Sequence, residues 1–190
     1  MTKKHGIFCI EGEWETDLND QSSIRPLIEF LANSDNHVAP IYRRVATIES
    51  FTYFVSQWKK HPKHIVGYFT FHGEKGSLCL GKERLSLSDL GALLAGSCKD
   101  KHIVLASCKT LNVPTEQLVA FRKQTGARSV SGYRKSPHMI ESSAFDVILM
   151  ANILYHDSPA KTHSWLRKGC AGLIDAYGFV MDYRTRTSEN

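Results

Sequence analysis

Short runs that are apolar at nearly every position alternate along the chain with longer segments whose apolar residues recur every three or four positions. That rhythm predicts a mostly parallel sheet covered by helices. Strands are expected at Gly6 to Ile10, Val38 to Arg43, Ile65 to Phe71, Ile103 to Ser107 and Arg128 to Gly132, with a last one near Gly178 to Tyr183. The runs from Ile65 to Phe71 and from Ile103 to Ala106 lack polar alternation, as a strand buried on both faces must. These two are expected at the centre of the sheet.

The helices fall between the strands. Ser23 can cap a helix carrying Ile24, Leu27, Ile28 and Leu31, where Pro26 is tolerated in the first turn. Thr47 caps one through Trp58, with Glu49 near the reciprocal capping position. Ser86 or Ser88 opens a helix with Leu87, Leu90, Leu93 and Leu94 on one face and Gly96 at its end. Pro114 and Thr115 open another, stopped at Gly126, and two more run from Ser142 to Tyr155 and from about Pro159 to Lys168. The short alternating runs from Ser77 to Leu85, around a Gly81-Lys82 turn, predict a small β-hairpin inserted before the Leu87 helix.

Composition adds little to this picture. At 190 residues, with 42% hydrophobic and 23% charged positions, the chain is expected to form one domain over residues 1–183, with a polar, disordered tail over 184–190. The net charge of +5 is dispersed, and Arg122, Lys123 and Arg128 are too few for a nucleic-acid stripe. Five cysteines without a CxxC pair argue against a disulfide framework and a zinc ribbon. No charge-free run exceeds 10 residues and Glu11 ends the first apolar stretch early. Neither a membrane span nor a signal peptide is expected, and the location expected is cytoplasmic.

Chemistry in an open parallel sheet gathers at the carboxyl ends of the central strands, where loops converge. Two reactive groups stand there. One central strand ends in Phe71-His72-Gly73 and the other in Ala106-Ser107-Cys108-Lys109-Thr110, so neighbouring strands would set His72 beside Cys108. A free thiol, with its pKa of about 8.5, needs a base to act near neutral pH, and an adjacent imidazole supplies one. Gly73 lets the backbone approach a substrate, and its N–H with that of Cys108 could face a developing oxyanion.

A buried strand ending in His-Gly, then one ending in a small residue, Cys and a polar residue, resembles the caspase-fold cysteine peptidases, in particular their bacterial CHAT-type branch. The segment Gly126 to Tyr133 is similar to the strand those proteins carry next, and Ser142-Ser143-Ala144-Phe145 to the opening of their next long helix. The resemblance covers roughly residues 64–155. It implies a three-layer α/β fold with a six-stranded, mostly parallel sheet flanked by helices. It further implies an endopeptidase with Cys108 as nucleophile, His72 as general acid or base, an oxyanion hole of the Gly73 and Cys108 N–H groups, and neither metal nor cofactor. Arg134, after Tyr133, falls where caspases keep a substrate-reading arginine, and implies an acidic residue before the cleaved bond. The sequence departs from animal caspases in having Ala106-Ser107-Cys108-Lys109-Thr110 only 36 residues after His72, and from metacaspases in having Ala106 where they place an acid.

Other candidates are weaker. His61 and His64 bracket Pro62 in a lysine-rich loop, Cys98 and His102 lack a second ligand pair, and Cys9, Cys79 and Cys170 read as packing residues. Phe51, Phe54, Val55 and Trp58 recur at helical spacing and read as core. Glu11, Glu13 and Glu15 end the first strand near the same rim, either as a solvated loop or as substrate contacts. Two functions of different class stand open. One is a caspase-like endopeptidase acting on protein or peptide substrates, switched on by a partner, a small-molecule signal or self-association, with relatives of that kind serving in bacterial antiphage defence. The other is a catalytically silent module of the same fold that binds a peptide or a nucleotide-like signal.

Overall fold

The computed structural model describes residues 5–17, 19–34, 39–156 and 158–185. The first half of the chain contributes β1 (Gly6–Gly12), α1 (Arg25–Ser34), β2 (Ile41–Val45), α2 (Ile48–Trp58) and β3 (His64–Thr70). A small antiparallel sheet follows, formed by β4 (His72–Glu74), β5 (Ser77–Leu80) and β6 (Glu83–Ser86). The remainder is α3 (Leu87–Leu93), β7 (His102–Ala106), α4 (Thr115–Thr125), β8 (Ser129–Tyr133), α5 (Met139–Tyr155), α6 (Pro159–Gly169), α7 (Ala171–Tyr177) and β9 (Phe179–Tyr183). The large sheet has the order β2-β1-β3-β7-β8-β9, parallel except for β9, which runs antiparallel to β8. β3 and β7 are neighbours at its centre, as their unbroken apolar runs predict.

Alternation along the central strands divides the core between two faces. Phe8, Ile10, Phe69, Ile103 and Leu105 pack with residues of α2, α3 and α4, whereas Ile7, Cys9, Tyr68, Val104 and Ala106 pack with α1, α5, α6 and α7. On the first face Trp58 is fully buried and its indole N–H donates to the His64 carbonyl at 2.8 Å. Its ring comes so close to β3 that a Cβ at Gly67 would stand 2.5 Å from it, so only glycine fits there.

Several expectations shift. The expected hairpin is two strands of a three-stranded sheet, because His72-Gly73-Glu74 leaves the central sheet after Thr70 and pairs with β5. His72 therefore opens a strand of its own rather than ending β3. α5 begins at Met139, three residues before Ser142, because Ser142 N already donates to the His138 carbonyl, closing the first turn. α7 is an addition to the expected elements, since seven residues are too few to show a helical period. Capping at Thr47 is completed by Ser50, the third helical residue, rather than by Glu49. Val38, at the start of an expected strand, and residues 186–190 of the expected disordered tail lie outside the described residues. Among the described residues no helix is long and apolar enough to cross a membrane.

Candidate active site

β3 and β7 lie side by side, with Thr70 level with Ala106, so the segments leaving their carboxyl ends emerge together. A cavity of about 200 Å³ opens there, and both His72 and Cys108 line it. Cys108 sits two residues beyond β7 and is half-buried, whereas His72 is exposed. Gly73 explains how β4 can lie against the cysteine turn. A Cβ on it would meet the Cys108 carbonyl at 2.5 Å, the Ser107 Cβ at 2.9 Å, and the Thr110 hydroxyl closer still.

The turn at the cysteine is tight. Lys109 adopts a left-handed φ of 57°, which costs a non-glycine residue about 1–2 kcal/mol. Local bonds hold it there. Lys109 N and Leu111 N donate to the carbonyls of Lys135 and Tyr133 at 3.0 and 3.1 Å, and Ser107 Oγ and Thr110 Oγ1 lie 2.8 Å apart. The Thr110 hydroxyl also donates to the Ser77 carbonyl, which ties the turn to the small sheet.

The histidine is held from the other side. Its Nε2 lies 2.7 Å from the Trp14 carbonyl, and the Trp14 ring packs edge-on against it at 5.3 Å. A carbonyl can only accept, so Nε2 carries a hydrogen, and Nδ1 is the nitrogen that holds the lone pair in the neutral tautomer. Trp14 is in turn fixed by Glu11, whose carboxylate accepts from the indole N–H at 2.6 Å. Glu11 is 0% exposed and also accepts from Ser23 Oγ, Ile24 N and Tyr42 Oη. Burial, then the bond to Glu11, push the Tyr42 phenol up to about 12, which keeps it a donor. Of the three glutamates at the rim, Glu11 is thus a buried anchor at the start of α1, Glu13 pairs with Arg44 at 2.8 Å, and Glu15 is exposed on the cavity wall.

Arg134 does not line this cavity, and its guanidinium reaches toward Thr115 Oγ1 instead. The other cysteines are set apart by burial. Desolvation pushes the Cys9 thiol well up, Cys98 up to about 12, and Cys79 upward by less. His64 is buried against the Ala39 carbonyl, and His102 Nδ1 lies 2.7 Å from Ser129 Oγ on the neighbouring strand.

One site residue escaped the sequence reading. Asp146, on α5, lines the cavity while only 2% exposed, and accepts from Tyr68 Oη at 2.8 Å and Tyr133 Oη at 2.5 Å. The available signal was its isolation, since it is the sole charged residue between Glu141 and Asp157 in an otherwise apolar helix. Desolvation outweighs the two phenol bonds and raises its carboxyl to about 7. The folded protein thus keeps a proton that the unfolded chain releases near pH 4. Stability from this group is full below about pH 4 and falls by roughly 4 kcal/mol as pH rises to about 7. Asp146→Asn should flatten that slope, read as the difference in urea midpoints between pH 5 and pH 7.5. An unchanged difference would contradict it.

A family profile described as "Family of unknown function (DUF6642)" matches residues 4–166. The chain belongs to that family. No curated protein matches in sequence. Among solved structures, caspase-1 from Spodoptera frugiperda superposes with a TM-score of 0.58 at 10% identity, covering 96% of this chain and 87% of that one. At that identity the likeness speaks for the fold alone, and this DUF6642 member has a caspase-like fold.

Proposed function

We propose that this DUF6642 protein is a cysteine endopeptidase. The observation that carries the reading is the convergence of His72 and Cys108 on one cavity at the carboxyl ends of adjacent central strands, with Gly73 packed against the cysteine turn. His72 Nδ1 takes the thiol proton as Cys108 Sγ attacks the scissile carbonyl carbon. The new C–S bond pushes the carbonyl electron pair onto oxygen, where the Gly73 and Cys108 N–H groups are the proposed donors. Collapse breaks the C–N bond, and the imidazolium returns its proton to the leaving amine. Water, deprotonated by the same imidazole, then attacks the thioester and releases the acid and the free thiol. The caspase-like fold supports this chemistry by likeness. An activating partner, signal or self-association belongs to the proposal as the switch for the enzyme.

The test is covalent capture. Incubated with a mixture of peptidyl acyloxymethyl ketones, the protein should gain one adduct by intact mass, and peptide mapping should place it on Cys108. An adduct spread over Cys79 and Cys170, or none at any probe concentration, would leave the binding-module reading in its place.

A further inference from the structure

Apart from His72, the cavity has one kind of charge. Its lining holds the carboxyls of Asp146 and Glu15 and no lysine or arginine. Asp146 stands among its most enclosed residues, whereas Glu15 is exposed. Both phenols on Asp146 are neutral donors, one to each carboxylate oxygen. A carboxylate has about four lone-pair sites, so two remain after the tyrosines are counted. Among the described residues Asp146 takes part in no ion pair. A buried carboxylate without a cation is an expensive arrangement, and a cationic ligand relieves it.

The elements around Asp146 suit a long side chain. Tyr68 and Tyr133 come from β3 and β8, which flank β7, the strand leading into Cys108. Met139 and Ala106 add apolar surface, against which an aliphatic stem can lie while its charged head reaches the carboxylate. Ser142 and Ser143 line the same cavity.

We propose that Asp146, held by Tyr68 and Tyr133, forms the floor of a subsite for a basic side chain, lysine or arginine, of the residue whose carbonyl Cys108 attacks. The inference rests on the peptidase reading and names its substrate class. It replaces the acidic preference that Arg134 suggests from sequence, because Arg134 lies off the cavity and Asp146 lies on it. A charge-assisted contact of this kind changes affinity roughly tenfold to a hundredfold.

Two measurements test it separately. In the first, binding of N-acetyl-lysine amide, N-acetyl-arginine amide and the neutral N-acetyl-norleucine amide to Cys108→Ala protein is measured by calorimetry or NMR titration. This arm requires no catalysis. The basic amides should bind at least about tenfold more tightly than norleucine amide, and Asp146→Asn in the same background should remove the difference. Equal affinities, or a preference that survives Asp146→Asn, overturn the subsite. The comparison of charged and neutral amides on the unaltered Asp146 is decisive even if Asp146→Asn fails to fold. In the second, wild-type protein is labelled with acyloxymethyl ketones bearing lysine, arginine, aspartate or leucine next to the reactive group. Faster labelling by the basic probes supports the subsite, and faster labelling by the aspartyl or leucyl probe overturns it. Absence of Cys108-dependent labelling by every probe, with selective binding of basic amides intact, overturns the peptidase reading and leaves a binding site for basic side chains.

Discussion

Cys108→Ala should abolish capture by a peptidyl acyloxymethyl ketone, and His72→Ala should slow it by about a hundredfold or more, the usual contribution of a positioned general base. The argument is one of elimination as well as position. Of the five cysteines, Cys9 and Cys98 are buried with thiols held well above the neutral range, and Cys79 is shifted the same way. Cys108 is the one of the five that lines the cavity shared with His72. The histidine's Nε2–H is directed at the Trp14 carbonyl, which leaves Nδ1 as the ring nitrogen that can serve as the base. Both variants should fold, since His72 is exposed and Cys108 half-buried, so unchanged melting temperatures would show that the loss lies in the chemistry. Labelling of His72→Ala at the wild-type rate would remove the histidine from the mechanism, and labelling of Cys108→Ala would remove the cysteine.

Glu11→Ala should cost roughly 3–5 kcal/mol of stability, a large part of the 5–15 kcal/mol that holds a domain of this kind together. Four donors, from Trp14, Ser23, Ile24 and Tyr42, converge at 2.5–2.9 Å on this carboxylate, which is itself fully buried. Removing it leaves them unsatisfied and unties the start of α1 from the end of β1. The same change should slow capture at Cys108, because Trp14 is the residue whose carbonyl and ring orient His72. Glu11→Gln keeps two acceptor lone pairs and should fall between wild type and Glu11→Ala on both scales. Glu11 is a positioning residue, and the pairing of readouts shows it: a purely structural role would lower the melting temperature and leave the capture rate of the folded fraction unchanged.

Much of this was legible in the chain. The unbroken apolar runs of β3 and β7 announce strands covered on both faces, and the structure makes them neighbours, the condition on which the pairing of His72 with Cys108 depended. His72 and Cys108 could be placed from the ends of those runs. Less legible was the departure of His72-Gly73-Glu74 into a second sheet, since three residues carry too little pattern to separate a strand end from a new strand. The bonds of Glu11 and Asp146 join residues 31 and 78 positions apart, through Tyr42 and Tyr68, and no local period encodes such pairings. A charged residue inside an apolar run was the visible trace of each, at Ile7-Phe8-Cys9-Ile10-Glu11 and at Ala144-Phe145-Asp146-Val147.

The amides of Lys109 and Leu111 donate to the stretch from Tyr133 to Lys135, which leads directly into Pro137 and Met139 on the cavity wall. The cysteine turn and the wall are therefore a single mechanical piece. A ligand that braces the wall should slow deuterium uptake at those two amides, and one that spreads it should speed uptake. Hydrogen exchange at Lys109 and Leu111 thus serves as a built-in gauge of cavity occupancy, readable on wild-type and Cys108→Ala protein alike.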